Sequence, residues 1–330
     1  MASKNQVLVL ILLLSLLTMS SIFKPSHADE YCPSNIPGGK IAIYWGQNDA
    51  SIEGTLTEAC DSDLYNIVAL AYLHVSGSSR SIVFGNHCSN EQCKALASQI
   101  QHCQSKGIQV LLSVEVDQID DPKSLAEYLY NNFLSGQDGP LGAVTLNGTD
   151  LAHLDYSSEP WAELVEAIYG YSTQNSKIYI SAAPLCDFTG FDSALATGHV
   201  DYLLVLYYGQ YATCLHFGDG DFTKLLDSWK GWTSKEGVAD HTSVFLGLVS
   251  SSDKSVASYG YISPEDLKSN VLPTVMESSN FGGVMLWDRY YDKQTGYSGK
   301  IKDALGSKVC ECECHYAASK RFHSVLAESM

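Results

Sequence analysis

The stretch Gly38-Gly39-Lys40-Ile41-Ala42-Ile43-Tyr44-Trp45-Gly46-Gln47-Asn48 sets the pattern for the whole chain. Lys40 to Trp45 is a run rich in apolar and aromatic side chains with glycine on both sides, which is how a strand buried on both faces reads. The turn after it lacks the glycine-rich phosphate loop that a doubly wound nucleotide-binding sheet carries after its first strand. Further runs of the same kind follow: Tyr65 to His74, Ile108 to Val116, Ala143 to Leu154, Lys177 to Ala183, Tyr202 to Tyr208, Thr242 to Val249 and Gly282 to Trp287. Helix-like segments separate them. Cys93 to Ser105 mixes polar and apolar residues at helical spacing and stops at Gly107, and Pro160 to Gly170 opens on Pro, carries Glu163 early and closes on Gly. Strands alternating with helices give a parallel sheet, and eight such units close it into a barrel. The expected fold is α/β, a single (β/α)8 TIM barrel over residues 29 to 308. An open doubly wound sheet is the competing architecture and fits the strand count less well.

With 330 residues, 45% of them hydrophobic, the chain can bury a large core. Asp plus Glu (37) outnumber Lys plus Arg (20), so the formal net charge is −17, and a phosphate backbone would be repelled. Nucleic acid is therefore excluded as a partner. The first residues read as a secretory signal, residues 1 to 28: Lys4, the apolar run Val7 to Leu17 and small residues at Ser26-His27-Ala28. That run is too short to span a membrane, and no later stretch is longer. The ten cysteines suit the oxidising exterior that such a signal leads to. The expected product is a secreted, extracellular (apoplastic) monomer without cofactor, metal or membrane contact. Residues 309 to 330, with Cys310, Cys312 and Cys314, form a Cys-rich tail that no β/α unit accounts for.

In such barrels reactive groups sit at the C-terminal ends of the strands. Read this way, the strands deliver Tyr44, Trp45 and Gln47 from the first run, Ser113 and Glu115 from the third and Asp150 from the fourth. The sixth gives Tyr207 and Tyr208, and the eighth Trp287 and Asp288. Aromatic faces with few cations suit the apolar face of a neutral sugar, while amides and carboxylates take hydroxyls. The plain alternative is that these aromatics only fill the barrel.

The strings GGKIAIYWGQN (38 to 48), EGTLTEAC (53 to 60) and GGVMLWDRYYD (282 to 292) resemble plant class III chitinases of glycoside hydrolase family 18. EACDS (58 to 62), QHCQSKG (101 to 107) and WDRYYDKQTGYS (287 to 298) are similar to the xylanase-inhibitor branch of that family. The resemblance implies three disulfides, Cys60 with Cys103, Cys88 with Cys93 and Cys186 with Cys214, so that the barrel has disulfide-stapled loops. Cys32 lies outside that pattern and is expected to pair with one of the tail cysteines; a zinc site in the tail is the weaker reading, its spacing being unlike the usual clusters.

The resemblance also implies a catalytic motif DGxDxDxE on the fourth strand, with its final Glu as general acid. This chain reads NGTDLAHL from 147 to 154, so Asn147, Asp150, Ala152 and Leu154 stand at the motif positions and two reacting groups have become hydrocarbon. Strict alternation of strand side chains turns the neighbouring Asp155 away from the interior, unless a bulge rotates it back. The family's SxGG on the third strand is replaced by Ser113-Val114-Glu115-Val116, with Glu115 expected to fill space where a sugar would lie. Leu206 stands in place of the family's acetamide-binding Gln, two positions before Tyr208. A positioned general acid contributes about 100- to 10,000-fold, so its loss leaves turnover marginal. The expectation is a catalytically inactive pseudoenzyme of plant defence that binds a microbial glycanase, chiefly a xylanase, or a chitin-type oligosaccharide. Candidate sugar contacts are Tyr44, Gln47, Glu115, Asp150, Tyr208 and Trp287. The loop Leu185-Cys186-Asp187 lacks the basic residue that the inhibitor branch presents there. The alternatives are an active divergent endochitinase and an acidic storage protein.

Overall fold

All eight expected strands form. A computed structural model describes residues 38–154, 160–187, 190–209, 213–215 and 220–306. The barrel strands are β1 (Lys40–Trp45), β2 (Ile67–Ser76), β3 (Gln109–Gln118), β4 (Gly148–Leu154), β5 (Tyr179–Pro184), β6 (Tyr202–Leu206), β7 (Ser243–Val249) and β8 (Phe281–Trp287). Each runs parallel to the next, and β1 pairs with both β2 and β8, which closes the sheet. β4 starts later than the apolar run suggests, because Gly142–Ala143 pairs antiparallel with Asp138–Gly139 instead. Ser79–Ile82 folds back antiparallel on the end of β2.

Period-two alternation sorts the strand residues into two cores. Ala42, Ala69, Leu111, Leu204, Phe245 and Met285 fill the barrel interior. Ile43, Val68, Leu112, Leu151, Val205 and Leu246 face the helices. The helix Trp161–Tyr169 buries Trp161, Leu164, Val165 and Ile168, the spacing of one helical stripe, between Pro160 and Gly170. The expected Cys93 to Ser105 helix is two pieces: a 3-10 turn, Asn90–Ala95, runs into the α-helix Leu96–Ser105. Gly148 is required where β4 meets β5, since any Cβ there would stand 1.9 Å from the Tyr179 carbonyl oxygen.

The disulfides pair Cys60 with Cys103, Cys88 with Cys93 and Cys186 with Cys214. Cys60–Cys103 ties Leu56–Asp61 to Leu96–Ser105 across 43 residues of chain. Loop-closure entropy makes such a link worth about 4 kcal/mol. The signal segment, Cys32 and the tail with Cys310, Cys312 and Cys314 lie outside the described residues. No helix among the described residues is long and apolar enough to cross a membrane.

Candidate functional site at the barrel mouth

One sector of the mouth is built from β1, β4, β5, β6 and β8. The register sets Ser113, Asp150 and Ser181 side by side on β3, β4 and β5. Asp150 is fully buried; it accepts the Tyr44 hydroxyl at 2.8 Å and the Ser181 hydroxyl at 2.7 Å. Burial first, then the Asp150 charge, holds the Tyr44 hydroxyl well above its ordinary pKa. Trp287 lies over Tyr44 with ring centroids 5.2 Å apart and beside Tyr208 at 6.3 Å. The Tyr208 hydroxyl is likewise held high by burial, with Asp288 and Asp150 adding to it. Tyr44 and Asp150 thus form a dry floor, while Tyr208 and Trp287 are partly open above it.

Trp45 and Tyr207 do not join them. The Trp45 indole donates to the Gly54 carbonyl and packs on His87, and Tyr207 meets Ser228 among the helices. Each neighbours an inward residue, so alternation sends it outward. Asp288 is buried too, as the N-cap of Arg289–Thr295, accepting from Tyr291 N–H and from the Asn48 amide. Burial, and then the charge of Glu53, push its carboxyl up to about 7. Glu53 is itself fully buried, accepting from Gly46 N–H and paired with His87 at 2.7 Å. Gln47 has a buried Oε1 with no hydrogen-bond partner among the described residues.

The second sector is ionic. Glu115 lies level with His74 on β2 and Ala152 on β4. Its carboxylate is 3.6 Å from His74 Nδ1, and His74 Nε2 is 3.3 Å from Asp117. Tyr72 hydrogen-bonds Glu115, and its hydroxyl is raised by burial first and by Glu115 second. Tyr72, His74 and Asp117 were not among the sequence-derived candidates. A slip between Leu70 and Leu73, where three residues of β2 span two of β3, underlies their position. Such bulges are common at barrel rims and re-aim the side chains beyond them.

β4 has the same device. Between Leu151 and Leu154, three of its residues span two of β5, so the strict alternation assumed in the sequence does not run through the motif. Ala152 is buried at the mouth. The side chain of Leu154, and Asp155 entirely, lie outside the described residues. Leu206 is buried inside the barrel and bridges to Leu185 through its backbone. Asn147 accepts both Val110 N–H at 2.8 Å and the Gln104 amide at 3.0 Å through its single amide oxygen. It therefore fixes the start of β4.

Cys186, Asp187 and Cys214 bring potential metal-ligand atoms together, but the two sulfurs are bonded to each other. Surface cavities of about 460, 520 and 560 Å³ lie elsewhere; none of these three is lined by Tyr44, Glu115, Asp150 or Trp287.

No protein-family model matches the chain. An acidic endochitinase of Cicer arietinum is 37% identical over 88% of this chain and 97% of its own length. The tamarind chitinase-like lectin superposes with a TM-score of 0.70 at 35% identity, covering 80% of this chain and 99% of the lectin. The xylanase and α-amylase inhibitor protein XAIP-II of Scadoxus multiflorus has a TM-score of 0.69 at 30% identity, covering 80% of this chain and 98% of the inhibitor. Identity of this order over at least 80% of the chain, on the same barrel, places the chain in the plant class III chitinase-like proteins of glycoside hydrolase family 18, near the xylanase-inhibitor branch.

Proposed function

We propose that this is a secreted chitinase-like protein of plant defence that binds a chitin-type oligosaccharide without cleaving it. The observation that carries the reading is the pairing of Glu115 with Ala152 in register at the mouth. Where the family's motif implies an assisting carboxylate on β4, this chain has a methyl group. Among the described residues the carboxylate level with it is Glu115, one strand over, and it is engaged by His74 and Tyr72. It lies level with Ala152, two residues before Leu154, the position where the resemblance sets the proton donor. What survives is the binding half of the site: Trp287 and Tyr208 above the Tyr44–Asp150 floor.

The test has two arms. The purified mature protein is incubated with chitin oligomers, and no turnover above background is expected. Robust cleavage abolished by Glu115→Gln or by Asp155→Asn would overturn the reading, and Asp155 belongs in that pair because of the slip in β4. The second arm is a chitin-bead pull-down, in which retention is expected for the wild type and reduced for Trp287→Ala.

A second reading, inhibition of a microbial xylanase or other glycanase by a protein–protein contact, is favoured by the likeness to the inhibitor XAIP-II. A xylanase assay with added protein separates it from the first, since sugar binding alone leaves that enzyme's rate unchanged.

A further inference from the structure

β5, β6 and β7 are neighbours in the sheet, so the segments that lead into their N-terminal ends meet at the end of the barrel opposite the mouth. Between those segments lies the cavity of about 520 Å³, inside the roughly 300–1,000 Å³ range typical of small-ligand sites. Its aromatic wall is a stacked pair: the Tyr169 ring and the His199 imidazole are 3.5 Å apart and within 6° of parallel. Tyr169 is 43% exposed, one of four large apolar side chains left open to solvent among the described residues. The Glu166 carboxylate lies 3.5 Å from His199 Nε2.

The polar groups around this platform are set by the fold. Lys177 and the buried Asp201 pair at 2.5 Å, and Asp201 also accepts the Ile180 N–H at 3.0 Å. Each cancels the other's charge, so the cavity makes no demand for an ionic ligand. Thr173 and Ser172 use their oxygens as acceptors for Ser176 and Ile178 N–H, leaving their O–H groups to donate outward. Gln174 and His241 complete the lining with an amide and an imidazole. A phosphate or carboxylate ligand would find Lys177 already engaged by Asp201, in a chain of net charge −17. A flat apolar ring face edged by hydroxyl, amide and imidazole groups matches a pyranose, with its C–H face and its rim of hydroxyls.

We infer that the cavity between the Tyr169–His199 stack and Thr173–Lys177 is a second carbohydrate site that takes one or two units of a neutral oligosaccharide. It does not depend on the mouth binding sugar. With both sites filled, one molecule holds two glycan segments at opposite ends of the barrel.

The experiment follows the His199 and His241 imidazole C–H resonances, identified by His199→Gln and His241→Gln, as chitotriose or xylotriose is added to the full chain. The expected result is a saturable shift of the His199 signal that Trp287→Ala retains. In Tyr169→Ala the apparent affinity falls about tenfold or more, the loss of one aromatic face at about 1.4 kcal/mol. Tyr169→Phe, which keeps the ring, restores the shift and guards against misfolding of the alanine variant. No movement of the His199 signal up to tens of millimolar of either sugar, or a shift undiminished in Tyr169→Ala, overturns the inference. Failure of the mouth reading appears elsewhere, as chitin-bead retention unaffected by Trp287→Ala.

Discussion

The two sectors of the barrel mouth are held together by different physics. On the β1, β4, β5 and β8 side, Asp150 is fully buried and hydrogen-bonded to Tyr44 and Ser181, with Trp287 against Tyr44. On the β2 and β3 side, Glu115, His74 and Asp117 form an ionic chain with side chains 24%, 32% and 59% exposed. A buried acceptor with two dedicated donors is costly to remove, because each donor is left unpaired in a low-dielectric site. A solvent-exposed ion pair is worth little, being screened and entropically expensive to hold. The floor of the mouth is therefore structural, whereas the Glu115 side is free to vary without unfolding the barrel. Glu115, which stands where the resemblance implies a glycine, falls on that tolerant side.

The largest effect expected from this contrast is at the floor. Asp150→Ala strands the Tyr44 and Ser181 hydroxyls and leaves a small void, which should destabilise the fold by about 3 kcal/mol or more. Denaturant unfolding at neutral pH measures it. A loss below 1 kcal/mol would mean that the two sectors do not differ in the way described.

Next comes pH. Asp288 is buried at the N-cap of Arg289–Thr295 with its carboxyl pushed up to about 7, against an unfolded value near 3.8. Between those values the folded chain keeps a proton that the unfolded chain has lost. Stability should fall as pH rises from about 4 to about 7 and level off above, by an amount on the order of 2–4 kcal/mol. Asp288→Asn keeps an N-cap acceptor for Tyr291. It should flatten this dependence and raise the melting temperature at pH 8. An unchanged pH slope would remove Asp288 as its cause.

The barrel was legible because its eight strands are short apolar runs closed by turn residues, and burial on both faces leaves no other use for them. The parity that puts Tyr44 and Ser113 inside also sends Trp45 and Tyr207 outside, a signal present in the sequence but not in the list of strand-end candidates. The cap role of Asp288, directly before Arg289-Tyr290-Tyr291, was legible in the same way. The slips in β2 and β4 were not, since a bulge adds one residue to one strand and leaves no mark in composition. Without the first slip, nothing in the sequence connects His74 and Tyr72 to Glu115, 41 and 43 residues further on. The cavity beside Tyr169 was hidden for a different reason: it draws on three segments that meet only once the sheet has closed.

The smallest expected effect is also the sharpest check on the ionic sector. Glu115→Gln keeps the shape of the side chain and an oxygen to accept the Tyr72 hydroxyl, but removes the charge beside His74. With every partner at least partly exposed, the stability change should stay below about 1 kcal/mol. The imidazole should respond more clearly than the fold. Compared at one fixed pH between the wild type and Glu115→Gln, the His74 imidazole C–H resonances should move, because the carboxylate beside Nδ1 is gone, while Asp117 still faces Nε2. If those resonances stay in place, Glu115 and His74 do not meet in solution, and this sector reduces to two independent surface groups.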